Sequence, residues 1–492
     1  MNDRVSWFSP SRVVAVAVLA SIPAKSLADR IADPDLWWHL RTGKLIVATH
    51  HIPHSDVYSY TVPGRPWVAQ EWLSEVILHG IRKVFGLWGI FFWRTLMLTV
   101  IYLLVARLIH RRMGEGMGTW ALAGLTAYAG GANWTERPNL FSFLLFVVML
   151  TLLDRRDRSI WFVVPLAALW ANLHGMVILG IGTLAMVAIT EGIKVRLQWE
   201  RADAVWAKRV GLVALAGAVA TLANPRGPEL IAYSFRLVRV VSTLVTEWAS
   251  PDFHEAGALI FLALLLVTIA SLAFAPGRPD LTDIGFVLAF TVLGLQAARN
   301  LAIASIVLGV VTARYMPGAL SAVRPPPVSR REATQPSMMI GVLGLVVALG
   351  GLGIVVASDF PRSDAPQDIV EKEYPVAMLA ALNGRSGSRV FAFDVWADYL
   401  IDQSWPGLRV YHDTRVEVYG LTQTGRYQRT IAALPGWDRL LDESCTTHVL
   451  VRPLRDPLAE ALRRAPGWRV EREEKRAILF ARTTTVAGCP SA

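Results

Sequence analysis

The sequence predicts a polytopic α-helical membrane protein of about eleven spans, followed by a C-terminal extracytoplasmic α/β domain. Three observations predict it. The chain is 53% hydrophobic, with a mean hydropathy of +0.40. Its apolar residues fall in unbroken runs that approach the roughly 20 needed to cross a bilayer. From about residue 360 the composition changes to that of a water-facing domain. The net charge of +10 would suggest nucleic acid in another setting. Here the arginines sit in short turns between apolar runs, where they set topology, and nucleic acid is not an expected partner.

Arg4 and Arg12 precede the first run, about 13–31, so the N-terminus is expected in the cytoplasm. No small-residue cleavage site follows this run, which reads as a retained span. Lys25, Asp29 and Arg30 interrupt it, and Asp33 then emerges on the outer side. A large first outer loop, 33–86, comes next. Its middle, HIPHSDVYSYTVPGRPW, is rich in turn residues. Its flanks, LWWHLRTGKLIVA and EWLSEVILHGIRKVFG, mix apolar and charged residues at helical spacing, as interfacial helices do.

Span two (about 87–109) returns to His110, Arg111 and Arg112. Span three (about 117–132) leads out to NWTERPN, and span four (about 139–153) returns to DRRDR. Span five (about 160–173) leads out to NLHG, and span six (about 175–193) returns to Lys194, Arg196 and Arg201. Span seven (about 209–223) leads to NPRGPEL and a second interfacial segment, LIAYSFRLVRVVSTLVTEW. Spans eight to ten (about 256–275, 283–297 and 301–316) end at Arg278, ARN and the linker VRPPPVSRRE. Span eleven (about 338–357) closes a membrane module of residues 1–357, and residues 358–492 form the periplasmic domain. There SRVFAF and THVLVRP read as buried strands, VWADYLIDQ and DPLAEALRRA as amphipathic helices, and WRVEREEKRAILFAR as a hairpin. Cys445 and Cys489 lack metal-site spacing. They either pair, if this region lies outside the cytoplasm, or stand as two thiols.

The inner turns are basic. The outer turns hold Asp33, Asp35, His39, Glu71, Arg137, His174, Asn224, Glu247 and Arg299, and ionisable groups at membrane depth mark functional sites by default. An enzyme on that side lacks nucleotide-activated donors, and a sugar on a polyprenyl phosphate is the alternative. Its transfer needs a carboxylate as general base, for which Asp33 and Asp35 are the candidates. It needs cations for the lipid phosphate, for which Arg137 and Arg299 are the candidates. Trp37, Trp38, His39 and Trp67 are candidates to line the sugar or the lipid. Plainer readings stand beside these. Asp33 and Asp35 suit a helix N-cap, the tryptophans an interfacial belt, the two arginines snorkelling, and Asp413 with Arg415 a structural ion pair.

The segments DPDLWWHLRTG (33–43), IPHSDVYSYTVPGRPWVAQEWL (52–73), RPNLFS (137–142), LWANLHG (169–175), NPRGPELI (224–231), TEW (246–248), ARN (298–300) and YHDTRVEVYG (411–420) together resemble a group of bacterial multispan proteins. That group is similar in turn to the GT-C glycosyltransferase superfamily. The resemblance implies a location in the bacterial inner membrane and an essential aspartate in the first outer loop, with Asp35 favoured over Asp33. It implies a polyprenyl-phosphate sugar donor and a glycan, lipid or protein acceptor. It also allows a divalent metal, with Glu71, His174 and Glu247 as candidate ligands. The chain departs from oligosaccharyltransferases in lacking a WWDYG-type motif, which argues against asparagine glycosylation. A flippase for a lipid-linked or anionic solute and a non-catalytic assembly protein are the alternatives.

Overall fold

The computed structural model describes residues 9–29, 33–200, 202–241, 244–323, 366–382 and 387–489. These form two compact units. One comprises Met1–Arg30, Phe91–Gly227 and Thr246–Arg362; the other comprises Ile31–Ile90, Pro228–Val245 and Ser363–Ala492. The first outer loop therefore groups with the C-terminal segment.

The first unit is helical. Every expected span before residue 320 falls on a helix; the expected eleventh, 338–357, lies outside the described residues. Among the described residues, five helices are long and apolar enough to cross a membrane: Pro10–Ala28, Trp72–Met113, Val177–Arg196, Ala256–Phe274 and Ala298–Val323. Arg158–Leu173 and Leu281–Gln296 are shorter apolar helices. Helix Leu301–Val323 is the spine, buried continuously from Leu301 to Ala313, and packs against Ala256–Phe274, Leu281–Gln296 and Met117–Ala129. The charges inside this unit are compensated. Arg94 is fully buried and donates to Glu136, to the Ser26 carbonyl and, at 2.7 Å, to the Asp29 carbonyl. Lys194 donates to Glu191 at 2.8 Å and to Asp280 at 3.0 Å. Pairing of this kind offsets the cost of desolvating an ion.

The second unit is built on a five-stranded sheet of order β2-β1-β3-β5-β4. Its strands are β1 (Ser388–Ala392), β2 (Leu408–Val410), β3 (His448–Val451), β4 (Trp468–Glu473) and β5 (Ile478–Arg482). β1 runs parallel to β2 and β3, while β5 is antiparallel to β3 and β4. β1 and β3 fall where SRVFAF and THVLVRP read as strands. Phe391, Val449, Val451, Ile478 and Phe480 from the sheet meet Tyr427, Leu458 and Leu462 from the helices in one core. Cys445 and Cys489 are joined by a disulfide, with Cα atoms 5.5 Å apart.

The first outer loop is bound into this unit by backbone. Val410 donates to the Tyr58 carbonyl and Tyr60 donates to the Val410 carbonyl, both at 3.1 Å, so residues 58–60 run along the edge of β2. The two flanking segments are helices, Asp35–Thr49 and the start of Trp72–Met113. Gly86, at φ +65°, breaks the latter in two, a backbone state that side-chain-bearing residues resist. Helix Asp394–Ser404 packs on Asp35–Thr49, and helix Glu229–Val241 packs on Val416–Ile431.

Candidate functional site

The site in the second unit begins at the N-terminus of helix Asp35–Thr49. Asp33 is 2% exposed, and its Oδ1 accepts the Asp35 backbone N–H at 3.0 Å. That bond satisfies one of the donors a helix start leaves open. Asp33 thus serves the helix, while Asp35 is half-buried and carries the more reachable carboxylate.

One turn later His39 is buried between two acids. Its Nε2 lies 3.3 Å from Glu71 and its Nδ1 3.2 Å from Glu75. The approach is close because residue 43 is glycine: a Cβ there would meet the Glu75 carbonyl oxygen at 2.0 Å. Burial alone would lower the His39 pKa. The hydrogen bond with Glu75 and the charges of Glu71, Glu75 and Asp35 outweigh it, and the net direction is up. The two flanking carboxylates suit a doubly protonated ring. A raised folded-state pKa contributes stability below the unfolded value of about 6.5, and that stability is lost as pH rises through the folded value. The melting temperature of the detergent-solubilised protein should therefore fall as pH rises above about 6.5. His39→Gln should flatten that slope, and an equal slope in both proteins would refute the assignment.

The Asp35 carboxylate meets the segment YHDTRVEVYG. Thr414 Oγ1 lies 2.6 Å from Asp35 Oδ1 and 2.7 Å from Asp398 Oδ2. Beside it, Arg415 is fully buried. Its Nε and NH2 donate to Asp413 at 2.9 and 2.6 Å, and NH2 also donates to Asp56 at 2.8 Å. Its guanidinium lies 4.8 Å from the Tyr58 ring centre and 4.6 Å from that of Trp67. The Tyr419 hydroxyl donates to Asp413 at 2.7 Å. Burial would raise the Asp413 pKa, but the Arg415 charge and these bonds hold it below the usual value. Asp398 goes the other way: burial, and then the charges of Asp413 and Asp35, push it well up. Glu417 is pushed up to about 7, by burial first and also by the charges of Asp413 and Asp35. The site thus holds carboxyls of opposite tendency side by side, an arrangement that suits acid–base work.

The aromatic candidates are buried. Trp37 is 1% exposed and packs edge-on against Tyr374 and Tyr399 at 5.3 and 4.9 Å. It is a core residue. Trp67 is 3% exposed and forms the bed under Arg415. Trp38 covers His39, with ring centres 3.6 Å apart, and the imidazole is itself sealed between Glu71 and Glu75.

In the first unit, Arg137 and Arg299 converge on one carboxylate. Arg137 donates to both Glu247 oxygens at 2.8 Å, and Arg299 donates to Oε1 at 3.1 Å. The Arg299 guanidinium lies 4.4 Å from the Trp248 ring centre. All three charged side chains are partly exposed. His174 has other partners: its Nδ1 is 2.9 Å from the Ser142 hydroxyl, which also accepts the Trp170 indole N–H.

Each residue expected to hold a divalent metal has a protein partner. Glu71 faces His39, Glu247 neutralises two arginines and His174 bonds Ser142. Among the described residues, no group of three or more His, Cys, Asp or Glu is placed to hold a metal ion. Sequence reasoning missed Asp398, Thr414, Glu417, Asp56 and Glu75 as members of the site. The density of polar and aromatic residues in YHDTRVEVYG was the available signal.

No family model matches the sequence, and no curated protein matches it. Among solved structures, the chain is similar to the oligosaccharyltransferase of Archaeoglobus fulgidus in its apo form. The TM-score is 0.59 at 11% identity, over 92% of this chain and 70% of that one. An archaeal oligosaccharyltransferase from the same organism, in complex with an inhibitory peptide and a dolichol-phosphate, gives a TM-score of 0.59 at 11% identity, over 91% of this chain and 70% of that one. The arabinofuranosyltransferase AftD from Mycobacteria gives 0.55 at 14% identity, over 96% of this chain and only 40% of AftD. These likenesses show a GT-C-like fold.

Proposed function

From a GT-C-like fold as premise, we propose that this chain is a membrane glycosyltransferase. It moves a sugar from a polyprenyl-phosphate donor to an acceptor on the extracytoplasmic side. Asp35 carries the proposal: a half-buried carboxylate at the head of the first outer-loop helix, set among buried acids. The fold neighbour that binds a dolichol-phosphate supports a lipid-phosphate donor. The Cys445–Cys489 disulfide supports an oxidising, extracytoplasmic setting for the second unit.

In this reading Asp35 takes the proton of an acceptor hydroxyl. The freed oxygen bonds to the anomeric carbon, and the bond from that carbon to the phosphate oxygen breaks. The lipid phosphate leaves with the electron pair. It departs with one more negative charge than the diester carried, so cations aimed at it act most strongly in the transition state. Arg137 and Arg299 are assigned that role. Two guanidiniums on one carboxylate leave a net positive charge, which a phosphate would balance. No step is routed through a metal.

The test is a titration of undecaprenyl phosphate into the purified, detergent-solubilised protein. Arg137→Gln with Arg299→Gln should weaken binding about 10- to 100-fold, the scale of charge-assisted hydrogen bonds at 1.5–3 kcal/mol. Glu247→Gln should tighten binding, because it removes the competing anion. Unchanged affinity in the double variant would overturn the phosphate assignment.

A further inference from the structure

One hydroxyl in the second unit has two carboxyl partners and a single proton. Thr414 Oγ1 is 2.6 Å from Asp35 Oδ1 and 2.7 Å from Asp398 Oδ2, and both are hydrogen-bond distances. A threonine hydroxyl donates once and accepts through its lone pairs. It can give its proton to one carboxylate only. The other contact is a hydrogen bond only if that carboxyl brings a proton of its own; two ionised oxygens at these distances would leave one contact repulsive.

The burial of the two acids decides which carboxyl it is. Asp398 lies inside helix Asp394–Ser404 with no exposed surface, while Asp35 is half-buried at a helix start. An isolated charge is far more costly at the buried position. The charged groups facing Asp398 are mostly anionic. Asp413 and Asp35 both disfavour a further negative charge, and the nearby Arg415 is already engaged by Asp413 and Asp56. The Thr414 backbone N–H, 3.3 Å from Asp398 Oδ1, fixes the rotamer that aims Oδ2 at the hydroxyl.

We propose that Asp398 is a positioning residue that stays protonated. It donates to Thr414 Oγ1, and Thr414 in turn donates to Asp35 Oδ1. The chain has one direction, and it ends on the group assigned as base. It orients the Asp35 carboxylate through a charge-assisted bond without placing a second anion beside it. The importance of the chain for turnover rests on the glycosyltransferase reading; the proton on Asp398 does not.

This gives the test two separate arms. The first is the infrared difference spectrum of wild type minus Asp398→Asn near neutral pH, in H2O and D2O. It should contain the carbonyl stretch of one protonated carboxylic acid, shifted by deuterium. Its absence would overturn the proposal whatever the protein's activity. The second arm is a steady-state sugar-transfer assay at matched protein levels. Asp398→Asn should lose less function than Asp398→Leu, because an amide N–H2 donates to Thr414 as the acid does. Thr414→Val and Asp398→Leu should each lose at least tenfold in kcat with KM little changed, and Thr414→Ser should recover most of it. Loss in Asp398→Asn equal to that in Asp398→Leu would overturn the donor role. An active Asp35→Asn would refute the catalytic reading while leaving the infrared result to stand by itself.

Discussion

Asp35→Asn is expected to lower sugar transfer by about 10²–10⁴-fold, the usual contribution of a positioned general base. The reason is chemical and local. The amide cannot take a proton at neutral pH, yet it keeps the size of the carboxylate and an oxygen to accept from Thr414. Asp33 should not substitute, since its Oδ1 is committed to the Asp35 backbone N–H and its side chain is sealed. Membrane levels and melting behaviour should match wild type, so the loss will read in turnover. A variant with normal turnover would remove Asp35 as base. Loss of protein from the membrane would show that the carboxylate's role is in folding.

Arg415→Met is expected to have the largest effect on stability. Arg415 is fully buried, and it is the cation shared by Asp413 and Asp56. Asp56 also accepts from the Ser59 hydroxyl at 2.6 Å and the Ser59 N–H at 3.1 Å. The arginine therefore joins the first outer loop to the segment after β2 inside one unit. Removing it leaves two buried carboxylates without their counter-ion, at a cost of about 3–5 kcal/mol. That is a large share of the 5–15 kcal/mol by which a domain is typically stable. Lysine should not rescue, for it lacks the planar fork and the stacking face toward Tyr58 and Trp67. Arg415→Met combined with Asp56→Asn and Asp413→Asn should recover part of the loss, because the stranded charges go too. Thermal melting in detergent and membrane abundance measure both effects. Wild-type melting of Arg415→Met would contradict the account.

What could be read from the chain divides along a physical line. Helices are legible because their causes are local: an apolar run, and a stop within a few residues. Pro10 opens Pro10–Ala28, and the side chains of Asp203 and Asp280 cap Ala204–Ala220 and Leu281–Gln296. The apolar runs at 388–393 and 447–453 mark β1 and β3 for the same reason. The acids at 33 and 35 are legible as unusual, since charge beside a span needs a cause. Their partners are not legible. Asp35 meets Thr414 across 379 positions, and Asp56 meets Arg415 across 359. No periodicity encodes a contact at that range, so Asp413 and Arg415 read only as an ion pair with each other. The tryptophans mislead for a different reason. A large ring with one polar atom suits a membrane interface, a sugar platform and a protein core alike. Only packing against Tyr374 and Tyr399 assigns Trp37 to the last.

The most direct measurement is mass spectrometry of surface glycans in a deletion strain carrying either wild type or Asp35→Asn at equal membrane levels. One glycoform is expected to disappear on deletion, to return with wild type, and not to return with Asp35→Asn. A glycan profile unchanged by the deletion, or restored equally by both proteins, would contradict it.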